Sequence, residues 1–239
     1  MRPDVDIQKW ANLARKATAD KTQVAARSSL AKFTANTFAH VGDELYAVAN
    51  MLGRQQTVAL PRSRHSTDQI SAVSLLFRIA GQLTSASADL FADGRYYAAA
   101  SLVRQIVEIE YLAWAFQSRN EDAERWLRST ADERRNFFTP AKLREAANGM
   151  FRGKDYGYHC ELGGHPVPGS VILFERDSVT SQILLSDLLG HTGRIWDNLL
   201  DWSAGEEWTL PIHSRREAMF LQYDAWKKTD DLILLPPPP

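Results

Sequence analysis

The sequence predicts an all-α fold: a single helical bundle with a central buried helix and one long irregular loop. Apolar residues recur at intervals of about 3.6 along most of the chain. Helix-capping signals precede several of these stretches. Alternation of polar and apolar residues is confined to two short runs, 171–174 and 232–235. We therefore expect no sheet, and one domain over residues 1–235 followed by a proline tail, 236–239.

The first elements are N-terminal helices within residues 1–60. Apolar side chains keep a helical spacing from Ile7 to Leu52, which predicts either one long helix or two. A proline-containing segment, 60–65, then interrupts the pattern. Ser66 and Gln69 follow as a capping box, in which each side chain accepts a hydrogen bond from the other residue's backbone N–H. A new helix is predicted to begin there.

The central helix is predicted after the turn at Asp93-Gly94. From residue 96 to 116 the chain is apolar on nearly all sides, as expected of a buried helix. The residues that interrupt it are Arg104, Gln105, Glu108 and Glu110. Arg104 and Glu108 lie one turn apart, so they either form a structural ion pair or orient residues from the loop. Glu110 lies on a different face.

Further helices are predicted towards the C-terminus. Their predicted starts are Ser118, Thr130 and Ser214, each with a glutamate three residues later, and Thr139, where Pro140 takes the first helical position. A strongly amphipathic helix runs from Leu184 to Trp202 within the C-terminal helices, 178–230. His191 lies in it and is predicted to be a hydrogen-bonded core histidine.

Charge, cysteine content and hydropathy limit the partners and the location that we expect for the protein. The net charge of −1 gives the molecule no strong field for nucleic acid. Residues 1–154 carry +6 and residues 155–239 carry −7, so the halves neutralise each other on packing or leave a basic face for RNA or a nucleotide. One cysteine, Cys160, excludes an intramolecular disulfide. Without a signal peptide or membrane-spanning run, we expect a cytoplasmic protein with no membrane partner.

The predicted irregular loop, 149–169, holds the residues with the most chemical potential. Glycine, proline and aromatic residues accumulate there, and long ordered loops are often functional. The reactive residues are Tyr158, His159, Cys160, Glu161 and His165. Histidine suits acid–base chemistry near neutral pH, and an arginine can stabilise charge on a phosphate. A base that takes the proton from a ribose 2′-hydroxyl would give metal-independent RNA cleavage.

Two other chemistries would use the same loop. His159, Cys160, Glu161 and His165 are all zinc-ligand types, but adjacent residues point in different directions and no paired ligand spacing is present. Cys160 could act as a nucleophile beside His159, but a lone cysteine usually behaves as a small apolar residue. We expect no metal and no cofactor.

Two stretches resemble HEPN-like bacterial helical proteins, a largely uncharacterised branch. They are Tyr97-Ala-Ala-Ala-Ser-Leu-Val-Arg-Gln-Ile-Val-Glu108, with Trp114 beyond it, and Tyr158-His-Cys-Glu-Leu-Gly-Gly-His-Pro166. The resemblance implies a HEPN-like core and loop over residues 66–175 and a homodimer. It also implies metal-independent ribonuclease activity or RNA binding in a toxin–antitoxin, CRISPR or phage-defence system.

The family signature is an arginine followed a few residues later by a histidine. Arg152 and His159, with six residues between them, meet that spacing and would be the phosphate-binding and catalytic pair. Alternatively, His165 is the family's histidine and Arg104 its arginine, with Glu108 orienting them. Tyr158 and Glu161 would support the site in either arrangement.

A non-catalytic helical partner protein is the competing hypothesis: an antitoxin, an immunity protein or a scaffold subunit. The uneven charge and the apolar run before the prolines, in the tail 232–239, would then form contacts. His159, Glu161 and His165 would be buried in a hydrogen-bonded loop. Exposure of the histidines distinguishes the hypotheses, because catalytic histidines must line a cleft.

Overall fold

The computed structural model describes residues 7–54, 64–151, 153–174, 178–206 and 209–234. Over these ranges every regular element is a helix and no strand occurs, which confirms the all-α prediction. The helices are α1 (Ile7–Ala19), α2 (Lys21–Arg54), α3 (Thr67–Ala92), α4 (Tyr96–Ser118), α5 (Glu121–Arg128), α6 (Ala131–Phe137), α7 (Pro140–Ala146), α8 (Gly153–His159), α9 (Ser178–Trp202), α10 (Leu210–His213), α11 (Arg216–Thr229) and α12 (Asp231–Leu234). A π-helical segment (Cys160–Gly164) and a 3₁₀ segment (Pro168–Leu173) lie between α8 and α9. None of the helices within those ranges combines the length and the apolarity needed to cross a membrane.

Three of the predicted helix starts are confirmed by their hydrogen bonds. The Ser66 hydroxyl accepts from the Gln69 N–H at 3.2 Å, and the Gln69 side chain accepts from the Ser66 N–H at 2.7 Å. Thr130 begins α6 with the same reciprocal pair. Thr139 accepts from the Lys142 N–H at the start of α7. Local sequence therefore determines where these helices begin.

Two other predicted starts are wrong. Ser118 is the last residue of α4, and α5 begins after Asn120 without a side-chain cap. The Asn120 side chain is instead held by tertiary contacts, because its Oδ1 accepts from the Trp202 indole N–H at 2.9 Å. The Ser214 hydroxyl donates to the Pro211 carbonyl, and α11 begins two residues later.

The N-terminal pattern resolves into two helices. Asp20 separates them, and its carboxylate accepts from the backbone N–H groups of Thr22 and Gln23 at 2.8 and 3.2 Å. These bonds satisfy donors that the first turn of α2 would otherwise leave unpaired.

Helix α4 lies at the centre, as predicted, packed between α3 and α9, while α2 covers α3. An aromatic cluster joins three long helices: the Phe38 ring is 5.3 Å from Phe77 and 6.4 Å from Trp196. One apolar core continues from Leu30 in α2 to Trp226 in α11.

The prediction of an irregular loop over residues 149–169 is wrong, because most of residues 153–173 is helical. Packing on α4 supplies the order that the sequence pattern does not show: Gly163 lies directly on the backbone of Ala100 and Ser101. In their described residues the two short alternating runs are not strands either, since 171–173 is 3₁₀ helix and 231–234 is α12. Leu235 and the prolines that follow lie outside the described residues.

Candidate functional site

A group of titratable side chains, called here the histidine cluster, forms where α8 meets α9 and α4. It consists of His159, Asp187 and His191, with Glu110 and Arg194 behind them. His159 ends α8, whereas Asp187 and His191 lie one turn apart on α9. Helices α4 and α9 pack closely, so the carboxylate of Glu110 reaches His191.

Three reactive groups of the cluster converge. The Nε2 atoms of His159 and His191 are 3.2 Å apart. The Asp187 carboxylate lies 3.1 Å from His159 Nε2 and 3.5 Å from His191 Nε2. His159 and His191 are only 2% and 5% exposed, whereas the Asp187 side chain is 35% exposed. Access from solvent is therefore on the Asp187 side.

The second nitrogen of His191 is fixed by an ion-paired carboxylate. Glu110 Oε2 lies 2.6 Å from His191 Nδ1, and Arg194 Nε donates to Glu110 Oε1 at 2.7 Å. Burial alone would raise the pKa of Glu110, but the hydrogen bonds and charges of His191 and Arg194 hold this pKa below its usual value. Arg194 Nη2 lies 2.7 Å from the same nitrogen, so Glu110 and Arg194 together surround His191 Nδ1.

Asp187 and Tyr158 form the outer rim. Burial would raise the pKa of Asp187, yet the hydrogen bond from His159 and the charges of both histidines keep it below its usual value. Burial, followed by the nearby Asp187, raises the pKa of Tyr158 to about 12. The rim thus combines an ionised carboxylate with a protonated phenol.

A second group, called here the arginine cluster, joins α4 to α8. Arg104 Nη2 lies 3.0 Å from Glu108 Oε1 and donates to the Tyr156 hydroxyl at 2.9 Å. Tyr156 in turn donates to Glu108 at 2.9 Å. The predicted Arg104–Glu108 ion pair is confirmed, although both side chains are partly exposed rather than buried. The guanidinium of Arg144 lies 4.5 Å from the centre of the Tyr156 ring.

The structure separates the two histidines that the sequence analysis left as alternatives. His165 is exposed, as is Glu161, whereas His159 is buried in the histidine cluster. Gly164 packs so tightly on Arg104 that an added Cβ would lie 2.7 Å from Arg104 Cδ. Arg104 therefore lies beside the chain segment that carries His165.

The alternative pair from the sequence, Arg152 and His159, remains a prediction. Arg152 lies outside the described residues. Tyr158 contacts His159 through an edge-to-face ring contact with centroids 5.5 Å apart.

Sequence reasoning missed Asp187 as a partner of His159, and it missed Glu110 and Arg194 as partners of His191. One signal was present: Asp187 and His191 are four residues apart on a predicted helix, which places both on one face. The prediction of a buried, hydrogen-bonded His191 is confirmed. Among the described residues, a possible metal-holding group is formed by His159, Asp187 and His191, whose donor atoms all lie within 4.8 Å of one another. It shares only His159 with the set of zinc-ligand types in the sequence.

No family model matches this chain, and neither does any curated protein or solved structure. Functional inference therefore depends on the geometry of the histidine cluster and the arginine cluster.

Proposed function

We propose that this protein is a HEPN-like metal-independent ribonuclease or RNA-binding effector of a bacterial toxin or phage-defence system, with Arg104 and His165 at its RNA site. The contact between Arg104 and Gly164 carries the proposal. It brings a permanently charged guanidinium to within one residue of an exposed histidine. An arginine for the phosphate and a histidine for proton transfer are the groups that metal-independent RNA cleavage needs.

The arginine cluster supports the proposal by holding Arg104 in place. Its guanidinium is tied to Glu108 and Tyr156, yet it remains partly exposed, so one edge can contact a phosphate. His165 would take the proton from the 2′-hydroxyl, whose oxygen would bond to phosphorus as the bond to the 5′-oxygen breaks. Water would protonate the departing 5′-oxygen, and Arg104 would stabilise the charge that develops on the phosphate. His159 does not have this role in the proposal, because it is buried and its Nε2 faces Asp187 and His191.

The test is incubation of purified protein with a mixed RNA pool in EDTA, followed by a denaturing gel. We expect wild-type protein to cleave the RNA and His165→Ala to lose cleavage. His40→Ala is the matched control, because His40 is an exposed histidine on α2. Full cleavage by a folded His165→Ala variant would contradict the proposal. Loss in His159→Ala alone would move the acid–base role to His159.

A homodimer interface is supported by apolar side chains on the surface in the segment that follows His165. Val171, Ile172 and Phe174 are all exposed in and just after the 3₁₀ segment. Exposed apolar groups in one short segment are typical of a protein–protein contact. The occupant we propose is a second copy of the chain, in keeping with the homodimer that the HEPN resemblance implies.

The mass in solution, measured by light scattering after gel filtration, tests this interface. We expect a dimer for the wild type and a monomer for Phe174→Glu. Phe220→Glu is the matched control, since Phe174 and Phe220 are 67% and 65% exposed but lie on different elements. A monomeric wild-type protein, or a dimer unaffected by Phe174→Glu, would exclude this interface.

A further inference from the structure

The histidine cluster has the ligand geometry of a metal site. A tetrahedral ion with bonds of about 2.0–2.1 Å to nitrogen and oxygen holds its ligand atoms about 3.3 Å apart. The Nε2 atoms of His159 and His191 are 3.2 Å apart, Asp187 Oδ2 lies 3.1 Å from His159 Nε2, and Asp187 Oδ1 lies 3.5 Å from His191 Nε2. One donor atom from each residue lies within 4.8 Å of the others, so an ion could be bound once the Asp187 carboxylate turns one oxygen towards both nitrogens.

The contacts and charges of the same three groups favour a cation between them. Two imidazole Nε2 atoms at 3.2 Å need either a proton on one of them or an ion between them, and the Asp187 carboxylate lies at the same point. Asp187 and Glu110 contribute two negative charges to the cluster, and Arg194 contributes one positive charge. A divalent cation would satisfy all three facing atoms at once.

The surroundings of His191 resemble those of metal-ligating histidines in general. Such histidines usually donate their other ring N–H to a carboxylate, which fixes the tautomer and makes the ligating nitrogen more basic. Glu110 has this position, and Arg194 holds it through a hydrogen bond of 2.7 Å. The carboxylate is buried and comes from α4, so the histidine orientation is set by the bundle core.

We propose that the histidine cluster binds one divalent first-row transition-metal ion of the zinc class, through His159 Nε2, His191 Nε2 and the Asp187 carboxylate. Two imidazoles and one carboxylate favour such an ion over Mg²⁺ or Ca²⁺, which prefer all-oxygen sites. The ion reaches the site past Asp187, the exposed member, where a fourth position remains for water. Bound there, it would join the end of α8 to α9.

The test uses the full chain, stripped of metal with a chelator and titrated with Zn²⁺ by calorimetry and with Co²⁺ by visible absorption. We expect one equivalent of Zn²⁺ and an intense Co²⁺ spectrum of the tetrahedral type. His159→Ala and His191→Ala should lose both signals, and Mg²⁺ should give no heat. His165→Ala is the matched control and should bind as the wild type does.

Two further variants keep the test decisive if a buried histidine variant does not fold. Asp187→Asn changes a partly exposed ligand and should also lose tight binding, with an unchanged helical circular dichroism spectrum. Glu110→Gln should weaken Zn²⁺ binding about 10- to 100-fold, because it removes the carboxylate behind His191. Hydrogen exchange of the α8 amides in the wild type should become slower on adding Zn²⁺.

Three results would overturn the proposal: no Zn²⁺ binding by the stripped wild type, equal binding by folded Asp187→Asn, or loss of binding in His165→Ala. The first would mean that a shared proton alone joins the cluster. These measurements contain no RNA, so their result tests the metal site independently of the proposed RNA site.

Discussion

The Tyr156 hydroxyl lies between a cation and a carboxylate, and it is the residue through which α8 holds Arg104. It accepts from Arg104 and donates to Glu108, each at 2.9 Å. Burial, opposed by the hydrogen bond from Arg104 and reinforced by that to Glu108, raises the pKa of Tyr156 to about 12. The hydroxyl therefore keeps its proton at neutral pH and can donate to Glu108.

Replacing Tyr156 with phenylalanine should lower the free energy of unfolding by about 1 kcal/mol, because two hydrogen bonds to charged groups are lost at a partly exposed site. Urea denaturation measures this change. Tyr158→Phe is the control: the described residues offer no hydrogen bond to the Tyr158 hydroxyl, so its effect should stay within about 0.5 kcal/mol. Equal effects of the two variants would contradict the role given to Tyr156.

For single residues, the sequence predicts side-chain contacts within a helix but not side-chain contacts between helices. The Arg104–Glu108 pair follows from a spacing of four residues. Glu110 and His191 are separated by 81 residues. Helical periodicity places each of them on a face of its own helix, but it does not determine which two faces meet.

The π-helical segment depends on close contact with α4. A Cβ on Gly163 would lie 2.5 Å from the carbonyl carbon of Ala100 and from the backbone nitrogen of Ser101. The Ser101 hydroxyl also donates to the Gly163 carbonyl at 2.6 Å. No side chain fits between these backbones, so glycine is required at this position.

Gly163→Ala should destabilise the protein by about 1–3 kcal/mol, because two backbones must separate to admit a methyl group. Gly157→Ala is the matched control: Gly157 is an exposed residue of α8, and its Cβ would meet nothing within 4 Å. There the better helix propensity of alanine should stabilise by about 0.5–1 kcal/mol. Thermal unfolding of both variants measures the contrast. A neutral Gly163→Ala would show that the contact is looser than described.

Tyr223 joins three long helices through its hydroxyl. The hydroxyl oxygen is 3.1 Å from that of Thr34 on α2 and 2.8 Å from that of Thr192 on α9. Burial, opposed by these two hydrogen bonds, raises the pKa of Tyr223 from 10.0 to about 12.

Stability should therefore fall as the pH rises from 10.0 to about 12. The protonated phenol is favoured in the folded state, so its contribution is complete below the unfolded pKa and is lost as pH rises through the folded one. Urea denaturation at about pH 9 and about pH 11 measures the loss. Tyr223→Phe should lose less stability over this interval than the wild type does. An equal loss would assign the alkaline transition to other groups.

Helices were predicted correctly where local capping residues determine them, and were missed where contacts with distant helices determine them. Thr130 carries its capping partner, Glu133, in the same turn, so α6 is visible in the sequence. Helix α8 contains two glycines and has no apolar period. It is ordered by contacts of Tyr156 and His159 with distant helices.

For the whole molecule, one buried ion pair connects α2 to the residue between α11 and α12. Arg27 donates to the two carboxylate oxygens of Asp230 at 2.6 and 2.7 Å, and both side chains are buried. The Trp226 indole N–H also donates to Asp230 at 2.7 Å. Every charge in the pair is satisfied, and removal of either partner leaves the other buried without compensation.

Arg27→Met should lower the free energy of unfolding by about 3–5 kcal/mol, because it leaves the Asp230 carboxylate buried and unpaired. Adding Asp230→Asn should recover part of this loss, since the amide is neutral and still accepts from Trp226. Chemical denaturation measures both. Arg95→Met removes an exposed ion pair with Asp93 and should change stability by less than about 1 kcal/mol. A comparable loss for Arg95→Met would show that burial is not the cause.

The Arg27–Asp230 pair also constrains the order of events during synthesis. The two residues are 203 positions apart. At about 5–20 residues per second, a ribosome needs roughly 10–40 s between them. Throughout that time α2 exists without its final partner, and the Arg27 guanidinium stays hydrated instead of entering the core. Closure of the bundle at this point therefore follows synthesis of all the residues between them, and until then the nascent chain presents a hydrated charge there rather than an apolar surface.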